Sequence, residues 1–255
     1  MKTVADQVVF ITGGTGGIGK AIAEAFLATG ATVCVSARTP PTAESGHTNL
    51  SYWALDVTDE QQVMKVYQAI KQKFGRLDTI VLNAGISVEE TTLDGLDTDL
   101  AKTMIDTNLL GVFLGLKHGA NYINDGGSII TMGSAAGGGT TVAMQGLYAA
   151  TKAGVHYLTR TVAIEQGYRG VRANTVKPAS IAATGMMTQD DGGAEAQFFS
   201  GITALNRMGK VSEVAQTVLF LASDNASYIT GAEIPVDGGL TAGLSQQLVE
   251  GLWSE

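Results

Sequence analysis

The feature that most constrains this chain is an alternation. Short, continuous apolar runs take turns with longer stretches of helical periodicity. The run "VVFIT" (Val8 to Thr12) precedes a helix expected from about Gly17 to Ala28, and "ATVCVSA" (Ala31 to Ala37) follows. "LSYWALDV" (Leu50 to Val57) leads to a helix from about Asp59 to Phe74. "DTIVLNAG" (Asp78 to Gly85) leads to a long helix from about Leu100 to Ile123. "GSIITMGS" (Gly127 to Ser134) leads through a glycine-rich loop to a helix beginning near Gly146. "VRANTVKP" (Val171 to Pro178), a helix from Val211 to Ala222 and a last run "AEIPVDGG" (Ala232 to Gly239) complete the pattern. Strands that are apolar throughout, rather than alternating, suit a parallel sheet buried on both faces. Right-handed crossovers then put helices on each side. The expected fold is α/β, a doubly wound parallel sheet of Rossmann type with about seven strands. No linker or short repeat interrupts it, so residues 1–255 read as a single domain.

Composition narrows the function classes. Hydrophobic residues make up 45% of the 255, enough for a substantial core. The formal charge is -8 and no Lys/Arg run occurs. That argues against nucleic acid or an anionic membrane as partner. The one cysteine, Cys34, reads as a small core residue in a strand. No stretch approaches a membrane span and "MKTVADQ" lacks a signal-peptide core, so a cytoplasmic protein is expected. The three histidines, His47, His118 and His156, share no ligand spacing, so no metal is assigned.

Ligands of such sheets bind at the carboxyl ends of the strands. After the first strand comes "TGGTGGIG" (Thr12 to Gly19), with Gly13, Gly17 and Gly19 at the turn into the helix. Glycine there permits a tight turn and close approach of backbone to a phosphate, which the helix N-terminus attracts. The P-loop lysine pattern is absent, which argues against an ATPase. In "GLYAATKAGVHYL", Leu147, Ala150, Val155, Leu158 and Val162 lie close to one apolar stripe. Tyr148 and Lys152, four apart, point the same way from this helix. A phenol titrates near pKa ~10, and a nearby ammonium is expected to lower it toward useful acid/base chemistry. Ser134, ending its strand, can donate to a substrate oxygen.

Together these motifs resemble the short-chain dehydrogenase/reductase superfamily, in its single-domain branch. The resemblance runs from Val8 to Gly239. It rests on TGxxxGIG, "LDV" (Leu55 to Val57), "NAG" (Asn83 to Gly85), Asn108, Ser134, "YAATK" (Tyr148 to Lys152) and "VDGG" (Val236 to Gly239). It implies catalysis by Ser134, Tyr148, Lys152 and Asn108, the last kinking its helix and holding a water on a proton path. Asn108 also reads simply as a polar residue satisfied within its helix. The resemblance implies cofactor contacts at Gly13, Thr15, Gly17, Ile18, Gly19, Asp56, Val57, Asn83, Ala84, Gly85, Tyr148, Lys152, Pro178, Ile181 and Thr184. Where relatives using NAD carry Asp, this chain has Ala37, followed by Arg38. An arginine fork suits the extra phosphate of NADP, so NADP(H) is favoured and NAD(H) is the alternative. The segment Thr39 to Leu50 is short and has two prolines, so the helix expected there is curtailed. The interval from Ser134 to Tyr148 is one residue longer than in common members, with the extra length in Gly137 to Gly146.

On the substrate side, Ser134, Tyr148, Val142, Met144 and Met186 are expected to line a mainly apolar pocket, with Leu147 beside them. Residues 184–210 read as an irregular lid, with Asp190, Asp191, Gly192 and Gly193 at its tip and Phe198, Phe199 and Ile202 on its apolar face. Part of that segment also reads as a surface helix. The expected substrate is a moderately hydrophobic ketone or secondary alcohol. A carrier-bound thioester fits less well, since no basic cluster marks an entrance. The tail 240–255 carries Leu244, Leu248, Leu252 and Trp253 and suggests docking on a partner subunit, and the resemblance implies a homotetramer built on the helices containing Asn108 and Tyr148. The rival of another class is a nucleotide-binding regulatory or scaffold protein. A nucleotide-sugar lyase or epimerase needs a larger C-terminal domain, and enoyl reductases separate their tyrosine and lysine further.

Overall fold

The computed structural model describes residues 4–41, 46–88, 91–182, 184, 193–246 and 249–250. Seven strands form one sheet: β1 (Val8–Thr12), β2 (Thr32–Ala37), β3 (Leu50–Ala54), β4 (Thr79–Leu82), β5 (Ser128–Met132), β6 (Arg172–Pro178) and β7 (Glu233–Val236). Their order is β3-β2-β1-β4-β5-β6-β7, and every pairing is parallel. The strand order reverses between β1 and β4, so a crevice opens beyond the carboxyl ends of these two strands.

Burial on both faces explains the unbroken apolar runs. In β1, Val8 and Phe10 pack on one side while Val9 and Ile11 pack on the other. Helices α1 (Gly17–Ala28) and α7 (Val211–Ala222) cover the Val9 side. The Val8 side is covered by α2 (Glu60–Phe74), α4 (Gly111–Tyr122) and α5 (Gly146–Gln166). Asp59 caps α2 by accepting from the Gln62 N–H, and Gly75 ends it in a left-handed conformation (φ 72°).

Four details bear on the sequence reading. The long helix is not continuous: α3 (Thr98–Ile105) passes through a π-helical turn at Asp106–Leu110 before α4 resumes. The apolar stripe of α5 keeps Val155 and Val162 buried, but Ala150 is exposed. The buried face is instead shared with Thr151, Lys152, His156 and Thr159. The stretch expected to be irregular contains α6 (Ala194–Gly201), with Phe198 exposed and its ring edge-on to Phe199. Between β2 and β3 the described residues form no helix, in line with the two prolines there. Met186, Asp190, Asp191, Gly192, Leu248, Leu252 and Trp253 lie outside the described residues.

Candidate active site

The glycine turn is built by close approach. Gly13 and Gly17 take left-handed φ of 64° and 50°. A Cβ on Gly19 would lie 2.4 Å from the Gly13 carbonyl oxygen. A Cβ on Gly17 would lie 2.6 Å from the Thr184 carbonyl oxygen, so Thr184 does reach the turn. Gly16, at the N-cap of α1, gives the helix no side-chain cap. Its first-turn N–H groups and dipole face the crevice with Thr15 exposed beside them, while Ile18 packs on the core.

Thr12 and Asn83 fasten the turn to the neighbouring strand. Thr12 Oγ1 accepts from the N–H groups of Asn83 and Ala84 at 3.0 and 3.1 Å. Asn83 Nδ2 donates to the carbonyls of Thr12 and Gly13 at 3.1 and 3.0 Å. Arg38 lies exposed just past β2, with no partner among the described residues. Asp56 accepts from the Thr58 N–H and Oγ1 at 3.0 and 2.7 Å, which fixes one carboxylate oxygen. Val57 packs against Gly111, where a Cβ would lie 2.8 Å from its Cγ2. Pro178 ends β6 and accepts from the Ala135 N–H at 2.8 Å, and Ile181 is buried against Gly209.

Ser134, Tyr148, Lys152 and Asn108 come together beyond β5 and β4. Tyr148 stands in the first turn of α5, and its hydroxyl faces the Ser134 side chain. Lys152 Nζ lies 5.6 Å from the centre of the Tyr148 ring and donates to the Met132 carbonyl at 3.0 Å. A Cβ on Gly85 would be 3.2 Å from both Lys152 Nζ and Asn108 Oδ1, so these two side chains flank that glycine. Asn108 is fully buried in the π-helical turn. It exchanges two 2.8 Å bonds with Ile86, donating to its carbonyl and accepting from its N–H. It is therefore satisfied by the loop after β4, not within its own helix.

Electrostatics correct one expectation. Among the protein's own groups, burial outweighs the rest and pushes the Tyr148 phenol above its usual value, with the Ser134 bond opposing it. Burial also disfavours the ammonium and lowers Lys152 to about 8. Lysine and tyrosine share one desolvated site, which disfavours the charged form of each.

The cleft in front of Tyr148 is lined by Ser87, Val88, Thr91, Leu93, Leu96, Met104, Met144, Gln145, Gly146 and Leu147. Met144 and Leu147 line it as expected. Val142 and Ser134 are not among the residues that line it, and Val142 is exposed. The wall of Ser87, Val88, Thr91, Leu93, Leu96 and Met104 has no counterpart in the sequence reading. The "TTLDGL" stretch between "NAG" and the long helix carries no periodicity that marks it. Of the histidines, His118 pairs with Glu60 at 2.9 Å and His156 sits 3.3 Å from Glu233, while His47 is exposed.

A glycine-rich turn at the switch point of a parallel doubly wound sheet, with tyrosine and lysine one turn apart, defines a class: Rossmann-type oxidoreductases. The chain belongs to the short-chain dehydrogenase/reductase superfamily. A family model described as "Enoyl-(Acyl carrier protein) reductase" matches residues 13–241. The chain is 37% identical to the 3-oxoacyl-[acyl-carrier-protein] reductase FabG of Thermotoga maritima, over 92% of this chain and 97% of that one. It is 33% identical to the NADP-dependent (R)-specific alcohol dehydrogenase of Lentilactobacillus kefiri, over 92% and 97%. A solved structure, "ElxO with NADP Bound", superimposes with a TM-score of 0.86 at 33% identity, covering 93% of this chain and 100% of that one. No helix among the described residues is long and apolar enough to cross a membrane.

Proposed function

We propose that the chain interconverts a ketone and a secondary alcohol with NADP(H), using Tyr148 as proton donor and acceptor. The observation that carries this reading is the meeting of Ser134 and Tyr148 at a cleft of mixed polarity, with Lys152 buried behind them. The reduced nicotinamide, when bound, supplies the hydride. In reduction, Ser134 donates a hydrogen bond to the carbonyl oxygen, and Tyr148 gives its hydroxyl proton to that oxygen as negative charge develops. In oxidation Tyr148 Oη takes the alcohol proton. Lys152 stabilises the phenolate with its ammonium, and Asn108 fixes the loop after β4 beside it. The residues present fit a dinucleotide. Gly13, Thr15, Gly17, Ile18 and Gly19 offer backbone to the pyrophosphate at the uncapped helix start. Asp56 and Val57 would hold the adenine, and Asn83, Ala84 and Gly85 the adjoining ribose. Pro178, Ile181 and Thr184 would hold the nicotinamide side.

Arg38, exposed with no acid at Ala37, supports NADP(H) over NAD(H), as do the similarities to an NADP-dependent alcohol dehydrogenase and to an NADP-bound structure. A second reading is reduction of a 3-oxoacyl thioester, favoured by the likeness to FabG. Against it, no basic side chain lines the cleft among the described residues. The four-residue spacing of Tyr148 and Lys152 argues against enoyl reduction. The exposed Phe113, Tyr157 and Ile164 on α4 and α5 support a homotetramer, and light scattering measures it. The testing experiment is a titration with NADPH and NADH separately, following nicotinamide fluorescence, then turnover on a panel of ketones and a 3-oxoacyl thioester. Tight NADPH binding with ketone turnover is the expected result. If neither cofactor binds, the reading fails and a scaffold role leads.

A further inference from the structure

Behind the catalytic serine lies an ion cluster that the chemistry above does not use. Lys177 of β6 is buried, yet its Nζ donates to Glu233 Oε2 of β7 at 3.0 Å and to the Gly138 carbonyl at 2.9 Å. Arg160, three turns along α5 from Tyr148, holds the other Glu233 oxygen at 2.7 Å. His156 Nδ1 lies 3.3 Å from Glu233 Oε2, and its Nε2 is buried with no hydrogen-bond partner among the described residues.

The cluster touches the serine loop at both ends. Before Ser134, a Cβ on Gly133 would lie 2.5 Å from His156 Nε2. After it, a Cβ on Gly138 would lie 2.6 Å from Lys177 Cδ and 2.7 Å from its Nζ. Gly137 between them has φ 88° and no room for a Cβ, which would meet the Ala149 carbonyl oxygen at 2.2 Å. The glycines of "SAAGGG" therefore let the backbone lie flat on α5 and on Lys177. An ammonium held in place by a carboxylate from the next strand is a firm anchor for a loop carbonyl.

We propose that Lys177, anchored by Glu233, is a positioning residue that holds the Gly133–Gly138 loop so that the Ser134 hydroxyl meets the substrate oxygen and Tyr148. The catalytic half of this proposal rests on the carbonyl-reduction reading.

The test is the double variant Lys177→Met/Glu233→Gln, which keeps volume and leaves no buried unpaired charge. Activity is counted per NADPH-binding site, so loss of folded protein does not register. Misplacing a catalytic group by about an ångström is expected to lower kcat about tenfold or more, with NADPH affinity kept within about twofold. Hydrogen exchange at the Ala135, Gly137 and Gly138 amides is expected to accelerate, with α5 and β5 unchanged. Unchanged loop protection overturns the clamp. Faster loop exchange with wild-type kcat and KM overturns the positioning role, as does a kcat loss that disappears when counted per NADPH site. A wild-type chain that turns over no ketone counts against the functional reading, and the exchange arm still decides the clamp.

Discussion

Lys152 carries a cost in stability that titrates away with pH. Burial lowers its folded pKa to about 8, against 10.5 for the free side chain. Between these two values the unfolded chain holds more protons than the folded one, so stability rises with pH across that window. Below both values the penalty is complete: about 3 kcal/mol at pH 7 from a shift of about 2.5 units, each unit being about 1.4 kcal/mol. At pH 9.5 about 1 kcal/mol remains, because folded Lys152 is then neutral and the unfolded lysine is only partly so. A Lys152→Met variant fills similar space, lacks the titration and loses the bond to the Met132 carbonyl. The bond shifts the two stabilities by a nearly constant amount, so the pH-dependent difference isolates the buried charge. Urea unfolding of both proteins at equal concentration, at pH 7 and 9.5, reads it. Wild type is expected to gain about 2 kcal/mol on the variant between the two pH values. A difference that stays flat, or moves in the variant's favour, refutes the claim that Lys152 is buried as a strained ammonium.

Two further substitutions probe the cofactor crevice. Gly17→Ala forces a side chain into a left-handed conformation 2.6 Å from the Thr184 carbonyl oxygen. It is expected to cost about 1 kcal/mol or more in thermal or urea unfolding and to weaken NADPH binding in a fluorescence titration. Arg38→Ala is expected to weaken NADPH about tenfold, or about 1.4 kcal/mol, while leaving NADH affinity unchanged. Equal loss for both cofactors places Arg38 away from the extra phosphate.

The parts of this fold that depend on local pattern were legible in sequence. Helix α7 falls at Val211–Ala222 as its periodicity implies, and β1 at Val8–Thr12, because their partners need only be apolar. The gathering of Ser134, Tyr148 and Lys152 follows from strand order and from the four-residue rise of α5. What stayed hidden depends on contacts far apart in the chain. Asn108 is tied to Ile86 through a π-helical turn that leaves no trace in the apolar spacing. Lys177 sits inside an apolar run, and only Glu233, on the next strand, shows why a charge is tolerated there. The sign of the Tyr148 shift is set by how deeply the phenol is buried, which the spacing of tyrosine and lysine does not encode. The cleft wall of Ser87, Val88, Thr91, Leu93 and Leu96 lies outside helix and strand, placed by what it packs on rather than by its own pattern.

The proposed chemistry turns on Tyr148 moving the proton. The most direct measurement compares Tyr148→Phe with wild type in two assays on the same preparation, NADPH binding by fluorescence and ketone reduction by NADPH consumption. NADPH affinity is expected to stay within about twofold and kcat to fall about a hundredfold or more, since a ring without a hydroxyl still fills the wall but has no proton to give. A variant that binds NADPH and reduces the ketone at the wild-type rate would contradict it.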